Sequence, residues 1–247
     1  MPLHLRRSLK PSILGALASL LIACGGSTAP SDTPADQGMA PAPEGASAPP
    51  TAAEPAAAQA SEPVFEAEMI GPLTKEVPLQ IVSVFSYEAG EQLISPATEV
   101  AAFVAEARTK QGYGKEPLKT LLVEPTPASI KASRLLVIAW GPRAEFSLER
   151  VKEVGRAAMR ETLKAGVVEM AYAPIARDQG VTTLPAEDVA KAFVEGALSE
   201  FLAAQRADRA DPKKPLALKH VTYEAGPAFI DAVKKAIPLG VAAAHGK

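Results

Sequence analysis

Arg134-Leu135-Leu136-Val137-Ile138-Ala139-Trp140-Gly141-Pro142, with Ser147 to Gly166 close behind it, decides how this chain folds. The first part is a short, continuous apolar run containing β-branched residues, the pattern of a strand buried on both faces. Gly141-Pro142 stops it. The second part predicts a helix: Ser147 can cap its start, Glu149 suits its first turn, and Gly166 ends it. Leu148, Val151, Val154, Gly155, Ala158, Met159, Thr162 and Leu163 recur at helical spacing and form a narrow stripe able to lie on a sheet. Buried strand, tight turn and amphipathic helix make half of a βαβ unit.

The flanking sequence repeats that unit. Leu79–Phe85 is β-rich, and Pro96 opens a helix from Ala97 to about Thr109 that should bury Val100, Phe103, Val104 and Ala107. Gln111 to Gly114 reads as a turn, and Leu118–Val123 as a strand stopped by Pro125 and Pro127. Val167–Ala173 is a further strand, closed by Pro174. Pro185 starts a helix that runs to about Arg206, with Glu187 and Asp188 in its first turn. A charged loop from Asp208 to Pro215 leads to a strand from Leu216 to Tyr223, and Pro227 to a final helix, Ala228 to Ile237. The alternation predicts an α/β fold with a mixed, mostly parallel sheet and helices on both faces.

The N-terminus has a different character. His4, Arg6, Arg7 and Lys10 precede an apolar run from Ser12 to Ile22, too short to span a bilayer comfortably. It ends Leu21-Ile22-Ala23-Cys24-Gly25, which resembles the lipobox of bacterial lipoproteins. The resemblance implies cleavage before Cys24 and acylation there, and so a membrane partner reached through a lipid anchor. Each buried CH₂ of such chains contributes about 0.8 kcal/mol, so several chains hold firmly. Gly25 after the cysteine, in place of Asp, resembles the outer-membrane default of proteobacterial lipoproteins, which places the expected address in the cell envelope. Cys24 is the single cysteine, which rules out an intramolecular disulfide and a cysteine-based metal site.

From Gly25 to Pro63 the chain is almost entirely Ala, Pro, Gly, Ser and Thr with a few acids and no Lys or Arg, a composition that stays disordered. As a flexible coil its ends lie on the order of 35 Å apart. The expected organisation is therefore a signal segment at 1–23, a lipidated tether at 24–63, and a domain at 64–247. Three of the 26 Lys/Arg lie in the signal and five of the 28 Asp/Glu (Asp32, Asp36, Glu44, Glu54, Glu62) in the tether, leaving 23 of each sign for the domain. A balanced surface is not one that binds nucleic acid.

Motifs that carry chemistry are sparse. Only His220 and His245 fall in the domain, too few for a zinc site without poorer ligands, and no Gly-x-Ser-x-Gly elbow precedes His220. No glycine-rich phosphate loop of either common type occurs. No catalytic residue, metal ligand or cofactor is therefore assigned. Ligands on open α/β sheets sit beyond the carboxyl ends of the strands. By that rule Trp140, Gly141, Arg143, Arg177 and Asp178 are the candidate binding-loop residues, against the plainer expectation that Trp140 covers the sheet edge and the charges are solvated.

In order and spacing the domain resembles the N-terminal, macro-like domain of the leucyl aminopeptidases. The match is carried by Gln111-Gly-Tyr-Gly-Lys115, by Ser133 to Gly141 with the helix bearing Gly155-Arg-Ala-Ala158, and by Val194-Glu-Gly-Ala197 in the next helix. The resemblance implies a three-layer macro-like architecture. In that family a larger domain follows, whose two zinc ions are held around a signature beginning Asn-Thr-Asp-Ala-Glu-Gly-Arg. This sequence has no Asn and stops about where that domain would begin, so a non-catalytic role is expected. The family also implies protein–protein contact or self-association. The alternative is a small-molecule or ADP-ribose-like site, although Val123 to Pro127 and Ala139 to Arg143 put prolines where diphosphate-binding N–H groups would be wanted.

Overall fold

A computed structural model describes residues 61–86, 98–208 and 216–247. The signal segment, Cys24, most of the tether, Pro96 and the charged loop lie outside the described residues. The elements are β1 (Val64–Glu68), β2 (Gln80–Phe85), α1 (Thr98–Gln111), β3 (Thr120–Val123), β4 (Leu135–Gly141), α2 (Leu148–Ala165), β5 (Glu169–Ala173), α3 (Ala186–Asp208), β6 (His220–Glu224) and α4 (Ile230–Ala244). A 3-10 turn, Arg143–Glu145, links β4 to α2.

The strands form one sheet in the order β1-β6-β5-β2-β4-β3, parallel throughout except for β3, which runs antiparallel along one edge. Alternate residues of each strand face opposite layers. Ile81, Phe85, Leu136, Ile138, Trp140, Met170 and Tyr172 pack under α2, α3 and α4. Val82, Val84, Val137, Ala139, Ala171 and Ala173 pack under α1. Helices thus cover both faces, and the expected α/β, three-layer fold is the observed one.

The opening strand and helix form as their sequence predicts. β4 is buried along its whole length. The Ser147 side chain accepts from the Arg150 N–H at the start of α2, and Gly166 closes the helix in the left-handed conformation, φ 63°. Gly155 of α2 and Gly196 of α3 let these two helices pack backbone to backbone. A Cβ at Gly155 would overlap the Phe193 carbonyl, and one at Gly196 the Lys152 carbonyl.

Several details differ from expectation. β1 was not anticipated, because Val64-Phe-Glu-Ala-Glu68 is a half-exposed edge strand and lacks a continuous apolar run. Phe103 lies on the outer side of α1, 40% exposed, while Val100, Val104 and Ala107 are buried. β6 starts only at His220. α4 runs on through Pro238 to Ala244; the proline gives up one backbone hydrogen bond, and Gly240 beyond it is still buried. His245 caps α4, and its Nε2 lies 3.1 Å from a Glu62 carboxylate oxygen. Glu62 had been placed in the tether.

Candidate functional site

The carboxyl ends of the parallel strands hold two crevices, and they are treated differently. The first lies between β2 and β5, whose onward connections leave in opposite directions. That is the switch point where open α/β sheets commonly take ligands. Here the ladder between the two strands ends at Val82 and Ala173, because Pro174 follows and has no N–H. Beyond it, Ser83 and Phe85 of β2 present a carbonyl and an N–H with no strand beside them on the β5 side.

Gln179 fills that place. Its Oε1 accepts from the Phe85 N–H at 2.9 Å and its Nε2 donates to the Ser83 carbonyl at 3.0 Å and to the Ile175 carbonyl at 3.0 Å. Two groups of one strand, two residues apart, are what a residue of a parallel neighbour would bond. The side-chain amide therefore stands in for one more peptide of β5. A tight turn holds it there: the Gln179 N–H donates to the Ile175 and Ala176 carbonyls, and Gly180 takes φ 79°. The result is a sealed crevice.

The second crevice, at the carboxyl ends of β1, β6 and β5, is open. It is a cavity of about 580 Å³, within the roughly 300–1,000 Å³ of small-molecule sites. Its walls are mainly hydrocarbon, among them Ile70, Phe146, Ile175, Val181, Leu184, Val189, Phe229 and Val233. Three charged residues line it: Arg177, Asp178 and Glu224.

Arg177 is half-buried and fixed. Its Nη2 donates to the Leu184 carbonyl at 2.9 Å, and its guanidinium carbon lies 4.7 Å from the centre of the Phe229 ring. Both partners belong to the cavity wall, so the cation is seated in that wall. Asp178 is exposed.

Glu224, the last residue of β6, is 3% exposed, and neither carboxyl oxygen makes a hydrogen bond of ordinary geometry. Burial pushes its carboxyl up to about 7. The side chain of Gln80, the backbone of Leu73 and the charge of Lys75 oppose that rise, and Glu68 adds to it. Lys75 is already engaged, paired with Glu68 and 3.7 Å from Glu169. Leu73 sits in the loop after β1 at φ 67°, with its side chain buried.

The five candidate residues therefore separate. Arg177 and Asp178 line the cavity. Trp140 does not: it is 1% exposed and interlocks with Phe85 and Phe146, ring centres 5.9 and 5.1 Å away. Its reach into the site is indirect, through Phe146. Gly141 has a backbone role, at φ 84° where the β2–β4 register shifts, with its carbonyl accepting from the Ser86 N–H. Arg143 is exposed in the 3-10 turn, away from the cavity lining.

Sequence reasoning missed Gln179, Leu184, Glu224 and Phe229. Pro174 and Gly180 bracket the turn and could have marked it. Nothing local marks the glutamine as a strand surrogate. His220 is exposed at the start of β6, at the opposite end of the sheet from the cavity. Among the described residues, no three His, Cys, Asp or Glu come together as metal ligands, and no helix is long and apolar enough to cross a membrane.

No protein-family model and no curated protein matches the sequence. Solved structures do. A mutant of tomato leucine aminopeptidase aligns at a TM-score of 0.57 with 12% identity, over 76% of this chain and 37% of that one. The bottromycin maturation enzyme BotP, in complex with Mn, aligns at 0.47 with 18% identity, over 68% of this chain and 30% of that one. A mutant macrodomain from Oceanobacillus iheyensis aligns at 0.49 with 10% identity, over 72% and 89%. The described domain shares its fold with part of the leucine aminopeptidase chain, and this chain spans about a third of the length of the leucine aminopeptidase and BotP chains.

Proposed function

We propose that this chain is a lipid-anchored protein of the bacterial envelope whose macro-like domain works by binding, without peptide hydrolysis. The anchor is Cys24, the tether carries the domain clear of the bilayer, and the outer membrane is the favoured address. The observation that carries the binding reading is the cavity at the carboxyl ends of β1, β6 and β5. A hydrocarbon-walled space of this size gains free energy by taking up an apolar body, at roughly 25 cal/mol for each Å² removed from water. Its charged side chains are one fixed cation, Arg177, and the exposed Asp178, with the Glu224 carboxyl turned to Gln80, Leu73 and Lys75, an arrangement that serves orientation better than bond cleavage.

The experiment is a titration of the full chain with an environment-sensitive apolar dye. One saturable site is expected, and Leu184→Trp, which narrows the space, weakens it. A dye that binds wild type and Leu184→Trp alike would remove the cavity from the account. Metabolic acyl labelling tests the anchor: Cys24→Ser loses the label, and equal labelling of the two proteins rules out Cys24.

A second reading is contact with a protein partner or with a second copy. It draws support from Met69, 63% exposed at the cavity rim, and from β1, whose outer edge has no neighbouring strand among the described residues. The remaining exposed apolar residues are spread between opposite sheet edges, with Val64 on β1 and Leu122 on β3, and make no single face. Sedimentation over a wide concentration range checks it. A mass that rises with concentration, and no longer rises in Met69→Lys, supports this contact; a constant monomer mass with no captured partner rules it out.

A further inference from the structure

The binding reading leaves open what enters the cavity, and Arg177 narrows it. A guanidinium placed in an apolar wall loses water on one side, and proteins usually compensate such a group with a carboxylate. Arg177 has a ring and one neutral carbonyl instead. It takes part in none of the ion pairs among the described residues, even though Asp178 is next in sequence. Its Nε and Nη1 remain unspent, and neither is buried without a partner. The group is held rigid from two sides, with donors left over, at the rim of a space whose walls are hydrocarbon. Charge complementarity then selects the ligand.

We propose that the cavity binds a small amphiphilic carboxylate: an apolar body lodged among Ile175, Val181, Leu184, Val189 and Val233, and one carboxylate head received by Arg177. A guanidinium presents paired N–H donors in the plane that matches two carboxylate oxygens. Glu224 does not compete for Arg177. It belongs to the α1 side of the strand, facing Gln80, Leu73 and Lys75. Asp178 is exposed to solvent and repels the head only weakly through water.

This assignment rests on the binding reading, and the test separates the two. The full chain is titrated with dodecanoate, dodecanol and dodecyltrimethylammonium, which share an apolar body and differ in head charge. Dodecanoate is expected to bind roughly ten-fold more tightly than dodecanol, as a charge-assisted hydrogen bond at a half-exposed site provides. Added salt should shrink that preference and leave dodecanol unchanged. Arg177→Gln should bring the two within about two-fold while dodecanol affinity stays. Equal affinity for dodecanoate and dodecanol in wild type, a preference for the cationic amphiphile, or a carboxylate preference that survives Arg177→Gln and high salt, overturns the head-group assignment and leaves the cavity as a site. Failure of all three amphiphiles to bind overturns the cavity reading itself.

Discussion

Two crevices lie side by side at the carboxyl end of one sheet, and only one is open. Between β2 and β5 a glutamine side chain completes the ladder and leaves no space. Between β5, β6 and β1 the chain leaves about 580 Å³ walled with hydrocarbon. The strand order makes the first crevice the expected ligand site, so topology alone points to the crevice that Gln179 occupies. What decides occupancy is whether backbone groups at the strand ends have partners. Ser83 and Phe85 could not stay buried and unpaired, and Gln179 answers that need. At β6 and β1 the pairing runs up to Glu224 and Glu68, and the turns that follow diverge over a space that needs no polar partner.

The sharpest way to break this contrast is Gln179→Ala. It strands the Phe85 N–H and the Ser83 carbonyl, and each buried group left unpaired costs about 1–3 kcal/mol. A loss of roughly 3 kcal/mol in urea denaturation is expected, and a loss below about 0.5 kcal/mol would mean that water replaces the amide freely.

Glu224 gives the next effect, and its sign is opposite to that of a paired carboxylate. Its carboxyl sits at about 7 in the fold against an ordinary 4.5. The folded state therefore holds the proton more tightly than the unfolded chain. Its contribution is fully present below pH 4.5 and is lost as the pH rises through about 7. Glu224→Gln should remove that decline and raise stability at pH 8 by on the order of 2 kcal/mol. Denaturation at several pH values checks this, and a variant with the same pH slope as wild type would show that the carboxyl is hydrated.

Smaller changes probe the cavity wall. Phe229→Leu removes the ring beneath Arg177 and should cost about 0.5–1 kcal/mol of stability, with a weakened carboxylate preference. Leu184→Trp should change stability by less than about 0.5 kcal/mol, because the residue is half-exposed and has room to expand. Its effect belongs to ligand uptake, and thermal melts with and without dodecanol separate the two.

The same contrast shows how far residues alone could lead. β4 and α2 were legible because apolar pattern, cap and glycine stop coincide in neighbouring residues from Leu135 to Gly166. β1 was not, since an edge strand with one solvated side has no continuous apolar run. α4 was cut short at Pro238, where packing of the residues beyond outweighs one lost hydrogen bond. At the site, Arg177 and Asp178 follow from their place after β5. Trp140 follows the same rule and fails it, because Phe85 and Phe146 draw the indole into the core. Gln179 and Glu224 take their roles from partners far away in sequence, Phe85 and Gln80, and no window of neighbouring residues holds that information.

Methyl-resolved NMR of the full chain, titrated with dodecanoate, tests the central claim most directly. Shifts should concentrate at saturation on Ile175, Val181, Leu184, Val189 and Val233, while Ile81 and Ile138 beneath the packed helices stay unmoved. Shifts centred on β2 beside Gln179, or none on the five cavity methyl residues, would contradict it.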